Sequence, residues 1–327
     1  MIKRWRYLKQ IAIVTSGGDA PGMNAAIRAI VRSAYSKNIK ALGFLRGWKG
    51  LITNTHRTLT PRSVGGILHL GGTVLNTSRS QLFKRQDGIK QASKTLAANN
   101  VDGLVVIGGD GSFRGALELS RRTNTLIVGV PATIDNDVSG TEETIGFDTA
   151  VNTAMAEIDK IRDTAISHER LFIIEVMGRK RGFLAATVGL VAGAEIILVP
   201  EMKLDREVVF QTLKENAAKG KKSGIIVAAE GVEDTAELAK EIESETGAEV
   251  RRSILGYAQR GGNPTARSRL LAILFGEKAV ETLAMENGGS LVGLQKGEIV
   301  NVALDKSCRT RKRLDLNALK LAATLAT

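Results

Sequence analysis

What this 327-residue chain lacks narrows its identity first. It has a single cysteine, Cys308, which excludes an internal disulfide framework and a cysteine-rich zinc site and fits a reducing compartment. Its three histidines, His56, His69 and His168, have no metal-ligand spacing. The longest apolar stretch, residues 185–199, is broken by Glu195 and is too short to cross a bilayer. No apolar leader core comes after Lys3-Arg4-Trp5-Arg6. No short-period repeat and no low-complexity linker is present. The expectation is a cytoplasmic protein without membrane association, long enough for two domains.

Acidic residues are also in deficit, at 34 Asp and Glu against 46 Lys and Arg, for a net charge of +12. The excess is uneven. Residues 1–9, with Lys3, Arg4, Arg6 and Lys9, carry +4, and residues 306–327 carry +5. The body between them stands at +3, close to balance. The basic ends are expected to be solvated, and nucleic acid is not an expected partner.

Short apolar runs at 11–15, 103–107, 126–130, 171–176, 195–199 and 224–229 alternate with helically spaced segments at 25–36, 88–99, 149–163 and 206–219. Runs without polar alternation suit strands buried on both faces, so the fold class is α/β, with mostly parallel sheets under helices. The turns at the strand ends carry the chemistry. The first strand leads into Ser16-Gly17-Gly18-Asp19, the second into Gly108-Gly109-Asp110-Gly111-Ser112, the third into Thr133-Ile134-Asp135-Asn136-Asp137, and the fourth into Met177-Gly178-Arg179. The carboxyl ends of parallel strands face a common crevice, so these turns are expected to gather on one edge as a phosphate-handling site.

Two of these turns are glycine-rich and precede helices, where close backbone approach and free N–H groups favour phosphate oxygens. Either could equally be a tight turn with no ligand. Neither is a Walker loop, and the second lacks the dinucleotide fingerprint. Asp110 is placed to hold Mg²⁺ across phosphates, or to cap the following helix. Asp135 and Asp137, with Thr133, could orient and deprotonate a hydroxyl, although such turns also form for local reasons. Arg79, Arg170, Arg179, Arg251 and Arg260 are candidates to stabilise charge in phosphoryl transfer.

Thr15-Ser-Gly-Gly-Asp-Ala-Pro-Gly-Met-Asn24, Gly108-Gly-Asp-Gly-Ser112, Pro131-Ala-Thr-Ile-Asp-Asn-Asp137, Glu175-Val-Met-Gly-Arg179 and Gln259-Arg-Gly-Gly262 occur in one register. Together they resemble the bacterial 6-phosphofructokinase family over residues 11–305. The resemblance implies two doubly wound, Rossmann-like domains with the active site in the cleft between them. Their expected extents are 1–145 with 259–309 for the nucleotide, and 146–258 with 310–327 for the sugar phosphate. It implies ATP-dependent phosphorylation of the 1-hydroxyl of fructose 6-phosphate, with Mg²⁺. Asp135 matches the base, with Thr133 and Asp137 beside it, and Asp110 matches the metal ligand. Gly18, Arg79, Gly109, Gly111 and Ser112 match nucleotide contacts, and Trp48 falls where an aromatic lies near the adenine. Arg179 with Arg79 would stabilise the migrating group, while Met177, Gly178, Glu230 and Arg260 match sugar-phosphate contacts. Arg170 and Arg251 match arginines that reach a neighbouring subunit's site, so a homotetramer is implied.

The chain departs from the family at several points. Tyr257 stands where a sugar-phosphate histidine is usual, so a phenol replaces a group that can become cationic. Arg28, Arg32, Arg162, Glu195, Lys219 and Lys221 match an ADP or phosphoenolpyruvate effector pocket, but an expected arginine appears as Pro61 beside Arg62. Gly111 and Ala132 are small where pyrophosphate-using relatives carry Asp and Lys, so ATP is the expected donor. The competing readings are a pyrophosphate-dependent phosphofructokinase and a non-catalytic nucleotide or nucleic-acid binder.

Overall fold

The computed structural model describes residues 8–326; Lys3, Arg4 and Arg6 of the basic start lie outside them. Along the chain come β1 (Gln10–Ser16), α1 (Met23–Ser36), β2 (Lys40–Phe44), α2 (Trp48–Ile52), β3 (His56–Leu59), α3 (Gln86–Ala98), β4 (Gly103–Gly108), α4 (Asp110–Ser120), β5 (Leu126–Pro131) and α5 (Phe147–Ser167). They continue as β6 (Leu171–Val176), α6 (Phe183–Val191), β7 (Ile196–Leu198), α7 (Arg206–Ala218), β8 (Gly224–Ala229), α8 (Thr235–Thr246), β9 (Val250–Ile254), α9 (Ala266–Ala284), β10 (Ser290–Gln295), β11 (Glu298–Ala303), α10 (Leu304–Arg309) and α11 (Asn317–Leu325).

The chain forms two compact units. One extends to Thr133 and takes in Asp137–Asp148 and Arg260–Lys312; the other holds Ile134–Asn136, Thr149–Gln259 and the chain from Arg313. Where changes were expected at 145, 258 and 309, they fall after Asp148, Gln259 and Lys312. In addition, Ile134–Asn136, the middle of the acidic turn, goes with the second unit.

The first unit is built on a seven-stranded sheet of order β11-β10-β5-β4-β1-β2-β3. Five neighbouring strands run parallel, while β3 and β11 close the edges antiparallel. Its centre is apolar on both faces: Ile11, Ile13, Leu104, Val105, Val106 and Ile107 have no exposure, and such side chains each contribute about 1.5–3 kcal/mol on burial. Phe44, Trp48, Phe83 and Phe113 fill one face, and α1 packs against α9. The connections run outward from β1 in one direction and from β4 in the other. The topological switch therefore lies where Ser16 pairs with Gly108, the position at which such sheets bind ligands.

The second unit has a four-stranded parallel sheet of order β7-β8-β6-β9, with a core of Leu171, Ile173, Ile226, Ala228, Phe210 and Leu213. Strand β6 therefore belongs to a different sheet from β1, β4 and β5. The expectation that four strand ends share one edge is corrected to three ends in one sheet and one in another. Periodicity finds a strand but cannot assign it to a sheet.

Candidate active site

In the first unit the ends of β1, β4 and β5 carry the expected turns. Gly108 is glycine for a steric reason, because an added Cβ would sit 2.5 Å from the Ser16 carbonyl. Ser112 turns its hydroxyl back to that same carbonyl at 2.9 Å and is buried. Its side chain ties the two glycine turns together. Gly109 is the N-cap of α4, and a Cβ there would approach Thr133 at 3.4 Å. Gly111 differs: nothing lies within 4 Å of where its Cβ would be, so packing does not demand glycine there. Asp110 is the first residue of α4, and its half-exposed carboxylate accepts from Arg114 Nε at 2.9 Å. The segment before Arg79 is anchored to the first turn, with Thr77 Oγ1 donating to Gly17 O at 2.9 Å, and Arg79 itself is exposed.

Two first-unit candidates make contacts that their positions in the sequence do not show. Arg260 donates to Asp19 at 2.6 Å and is mostly buried over Gly18, whose Cβ would lie 2.5 Å from the guanidinium. Gly18 thus makes room for an arginine of its own unit. Trp48 is buried, stacked on Phe83 at 4.1 Å and 8°, so its ring is part of the hydrophobic core. A residue that the resemblance placed near an adenine is thus packed with Phe83 in the core.

The acidic turn after β5 is locked by its own backbone. Thr133 N–H donates to Ile145 O at 3.0 Å, and Thr144 Oγ1 donates to Thr133 O at 2.6 Å. Asn136 adopts a left-handed φ of 50°, which asparagine tolerates better than most residues. Asp135 is buried, and its carboxylate lies 3.5 Å from Arg179 Nε. Asp137 is half-buried.

Arg179 sits in the turn after β6 with a left-handed φ of 54°, following Gly178 at 135°. Its backbone N–H donates to Glu230 Oε1 at 2.5 Å, and Met177 N–H donates to the buried Gln259 Oε1 at 3.3 Å. Glu230, expected to contact sugar, thus holds the backbone of the arginine that faces Asp135. Farther along, Glu249 bridges Arg170, at 2.6 Å, and Arg251. The Arg170 guanidinium is the main cause holding the Glu249 carboxyl below its usual range. Sequence reading missed Glu249; its place two residues before Arg251 was the available signal. Tyr257 is 78% exposed.

The effector candidates divide between the units. Arg28 and Arg32 lie on α1. In the second unit, Arg162 donates to the carbonyls of Ala192 and Gly193, and Glu195 accepts from Ile225 N–H at 2.5 Å. Lys221 donates to Ala326 O. Glu195 and Lys219 line a cavity of about 540 Å³ between β7, α7 and α11.

No cluster of three or more histidine, cysteine or carboxylate side chains able to hold a metal occurs among the described residues, and no described helix is long and apolar enough to cross a membrane. The phosphofructokinase family model matches residues 10–283. The ATP-dependent 6-phosphofructokinase of Lysinibacillus sphaericus is 49% identical over 98% of this chain and 100% of its own length. The ATP-dependent 6-phosphofructokinase 1 of Thermus thermophilus is 48% identical over the same shares. The crystal structure of Pichia pastoris phosphofructokinase in the T-state superposes with a TM-score of 0.87 at 33% identity, covering 94% of this chain and 36% of that one. Coverage of 98% by the bacterial relatives takes in much of residues 306–327, which were expected to lie outside the resemblance. With matched turns on two α/β units and relatives alike along their whole length, the chain belongs to the phosphofructokinase family.

Proposed function

We infer that the chain transfers the γ-phosphoryl of ATP to the 1-hydroxyl of fructose 6-phosphate, giving fructose 1,6-bisphosphate and ADP. The carrying observation is the buried Asp135 carboxylate with the Arg179 guanidinium beside it at 3.5 Å, in a chain that matches ATP-dependent phosphofructokinases from end to end. Asp135 accepts the proton of the attacking hydroxyl. The guanidinium beside it offers positive charge where the migrating phosphoryl spreads its own. Arg79, exposed beside the first glycine turn, is assigned the same service on the nucleotide. Catalysis is positioning and electrostatics, with no covalent intermediate.

Asp110 is the residue that would hold Mg²⁺. A single carboxylate fits, because this ion keeps several waters and is commonly shared between one or two carboxylates and substrate phosphates. When bound, Mg²⁺ neutralises phosphate charge. The open space at Gly111 favours ATP over pyrophosphate, since it leaves the nucleotide's α-phosphate unobstructed. Gly18, Gly109 and Ser112 are assigned to nucleotide contacts, and Met177, Gly178, Tyr257 and Arg260 to the sugar phosphate.

The enzyme is proposed to work in the cytoplasm as a homotetramer, with Arg170 and Arg251 serving a neighbouring site. An ADP or phosphoenolpyruvate effector would use Arg28, Arg32, Arg162, Glu195, Lys219 and Lys221. The deciding experiment is a coupled assay for fructose 1,6-bisphosphate with ATP or pyrophosphate, run beside Asp135→Ser. Turnover with ATP that Asp135→Ser abolishes is expected; no turnover with either donor overturns the reading. Identical activity curves with and without ADP and phosphoenolpyruvate would remove the effector assignment.

A further inference from the structure

The cavity of about 540 Å³ between β7, α7 and α11 lies wholly within the second unit. Its volume falls in the range of about 300–1,000 Å³ usual for small-ligand sites. From α7 it is lined by Val208, Val209, Thr212 and Asn216, which share one face of the helix at spacings of three and four. Leu198 of β7 and Leu319 of α11 add to its apolar wall.

Asn216 is the polar exception at the enclosed end of that face. It is only 8% exposed, yet its carboxamide has no hydrogen-bond partner among the described residues. Its polar atoms are not sealed in the core either, as those of Thr95 and Ser290 are, so open space remains beside them. A buried amide left unpaired is costly, and one held in a cavity wall marks the place of a polar ligand atom.

Six ionisable side chains line the same cavity, three of each sign, and the two sets differ. Every carboxylate accepts from the protein: Asp205 from Val208 N–H at 3.3 Å, Glu195 from Ile225 N–H at 2.5 Å, and Glu215 from Gln211 Nε2 at 2.7 Å. The amines of Lys203, Lys219 and Lys320 have no partner among the described residues. The donors left over are an amide and three ammonium groups, which suit an anion.

We propose that this cavity binds a small amphipathic monocarboxylate, its apolar body packed between α7 and α11 and its carboxylate on Asn216 and on Lys219, three residues farther along. Arg28, Arg32, Arg162 and Lys221 do not line the cavity, so it is distinct from the pocket assigned to ADP or phosphoenolpyruvate, with which it shares Glu195 and Lys219. The proposal does not depend on the kinase reading.

The test is calorimetric titration of the full chain with decanoate, hexanoate and decylamine. Decanoate is expected to saturate one site and to raise Tm. Hexanoate should bind more than tenfold more weakly, since each buried methylene contributes about fourfold in affinity. Decylamine, of the same length but opposite charge, should not compete with decanoate. Asn216→Leu keeps the bulk and removes the donor, and is expected to weaken decanoate about tenfold. Ala323 lines the cavity from α11 and is exposed, so Ala323→Phe should fold normally and abolish binding by filling the space. The proposal is overturned if decanoate does not saturate a site, if decylamine competes with it, or if either variant, folded by its melt, binds decanoate like wild type.

Discussion

Arg179 Nε stands 3.5 Å from the carboxylate of Asp135, and Asp135 is buried while Arg179 is more than half exposed. The acid is thus the enclosed partner, and the cation reaches it from the solvent side. Asp135→Asn preserves shape and removes the base, so kcat is expected to fall by about 10²–10⁴-fold with little change in Tm. A coupled assay beside a thermal melt checks both halves. Retention of more than a tenth of wild-type kcat would contradict the assignment.

Glu230 holds Arg179 by its backbone, in a left-handed conformation that costs a non-glycine residue about 1–2 kcal/mol. Glu230→Ala removes that acceptor and lets the turn relax. The expectation is a loss of about tenfold in kcat, larger than any effect on KM for ATP. If kcat is unchanged, Arg179 does not need this restraint.

Gly111 has open space around it, so Gly111→Asp should fold normally. The added carboxylate would meet the nucleotide phosphates, raising KM for ATP by about tenfold or more through like-charge repulsion. Titrating ATP in the coupled assay, with a melting curve as control, decides the matter. An unaltered KM would show that the nucleotide does not come near this residue.

Tyr257 is exposed, and a phenol, unlike an imidazole, cannot become cationic. KM for fructose 6-phosphate is therefore expected to change little from this position between about pH 6 and 8. Tyr257→His should introduce a KM that rises with pH as the imidazolium loses its proton. Parallel pH profiles for the two proteins would refute the assignment of Tyr257 to the sugar phosphate.

Cys308 is pushed up to about 11 from 9.0, mainly by burial and then by the charge of Asp110. Its thiol should alkylate about 100-fold more slowly than an unperturbed cysteine at pH 8.5, by the thiolate fractions alone. Because the folded form holds this proton more tightly, stability supplied by the neutral thiol is lost as pH rises from 9.0 towards 11. Iodoacetamide kinetics against pH give the value; rapid labelling at pH 8.5 would count against it.

The apolar strands of the sheet centres were legible because burial on both faces leaves unbroken Val, Ile and Leu runs, as in β4 and β8. The turns were legible because their glycines and carboxylates come directly after those runs. Edge elements were harder. Strand β3 reads His-Arg-Thr-Leu, and β11 has no fully buried residue, so neither stands out as apolar. Ser112 and Arg260 were found as site candidates, but their partners, Ser16 and Asp19, are fixed by strand register and by contacts 96 and 241 residues apart. The packing of Trp48 and of Lys312 was not legible for a shared reason: composition and position along the chain do not say which way a side chain turns. A charge count assigned Lys312 to solvent, but it is half-buried and its Nζ donates to Glu142 O at 2.8 Å.

Strand β9 ends the four-stranded sheet, and its outer row of backbone groups carries Arg251 and Arg252, both exposed. Charged side chains on such a border discourage another chain from adding itself as the next strand. Arg251, a residue assigned to a phosphate-binding site, therefore also guards this edge against self-aggregation. Replacing Arg251 by an apolar residue to weaken substrate binding would remove that protection as well, and loss of soluble enzyme would be mistaken for loss of affinity. Arg251→Glu keeps a charge on the border while reversing its sign towards phosphate, so it separates the two effects.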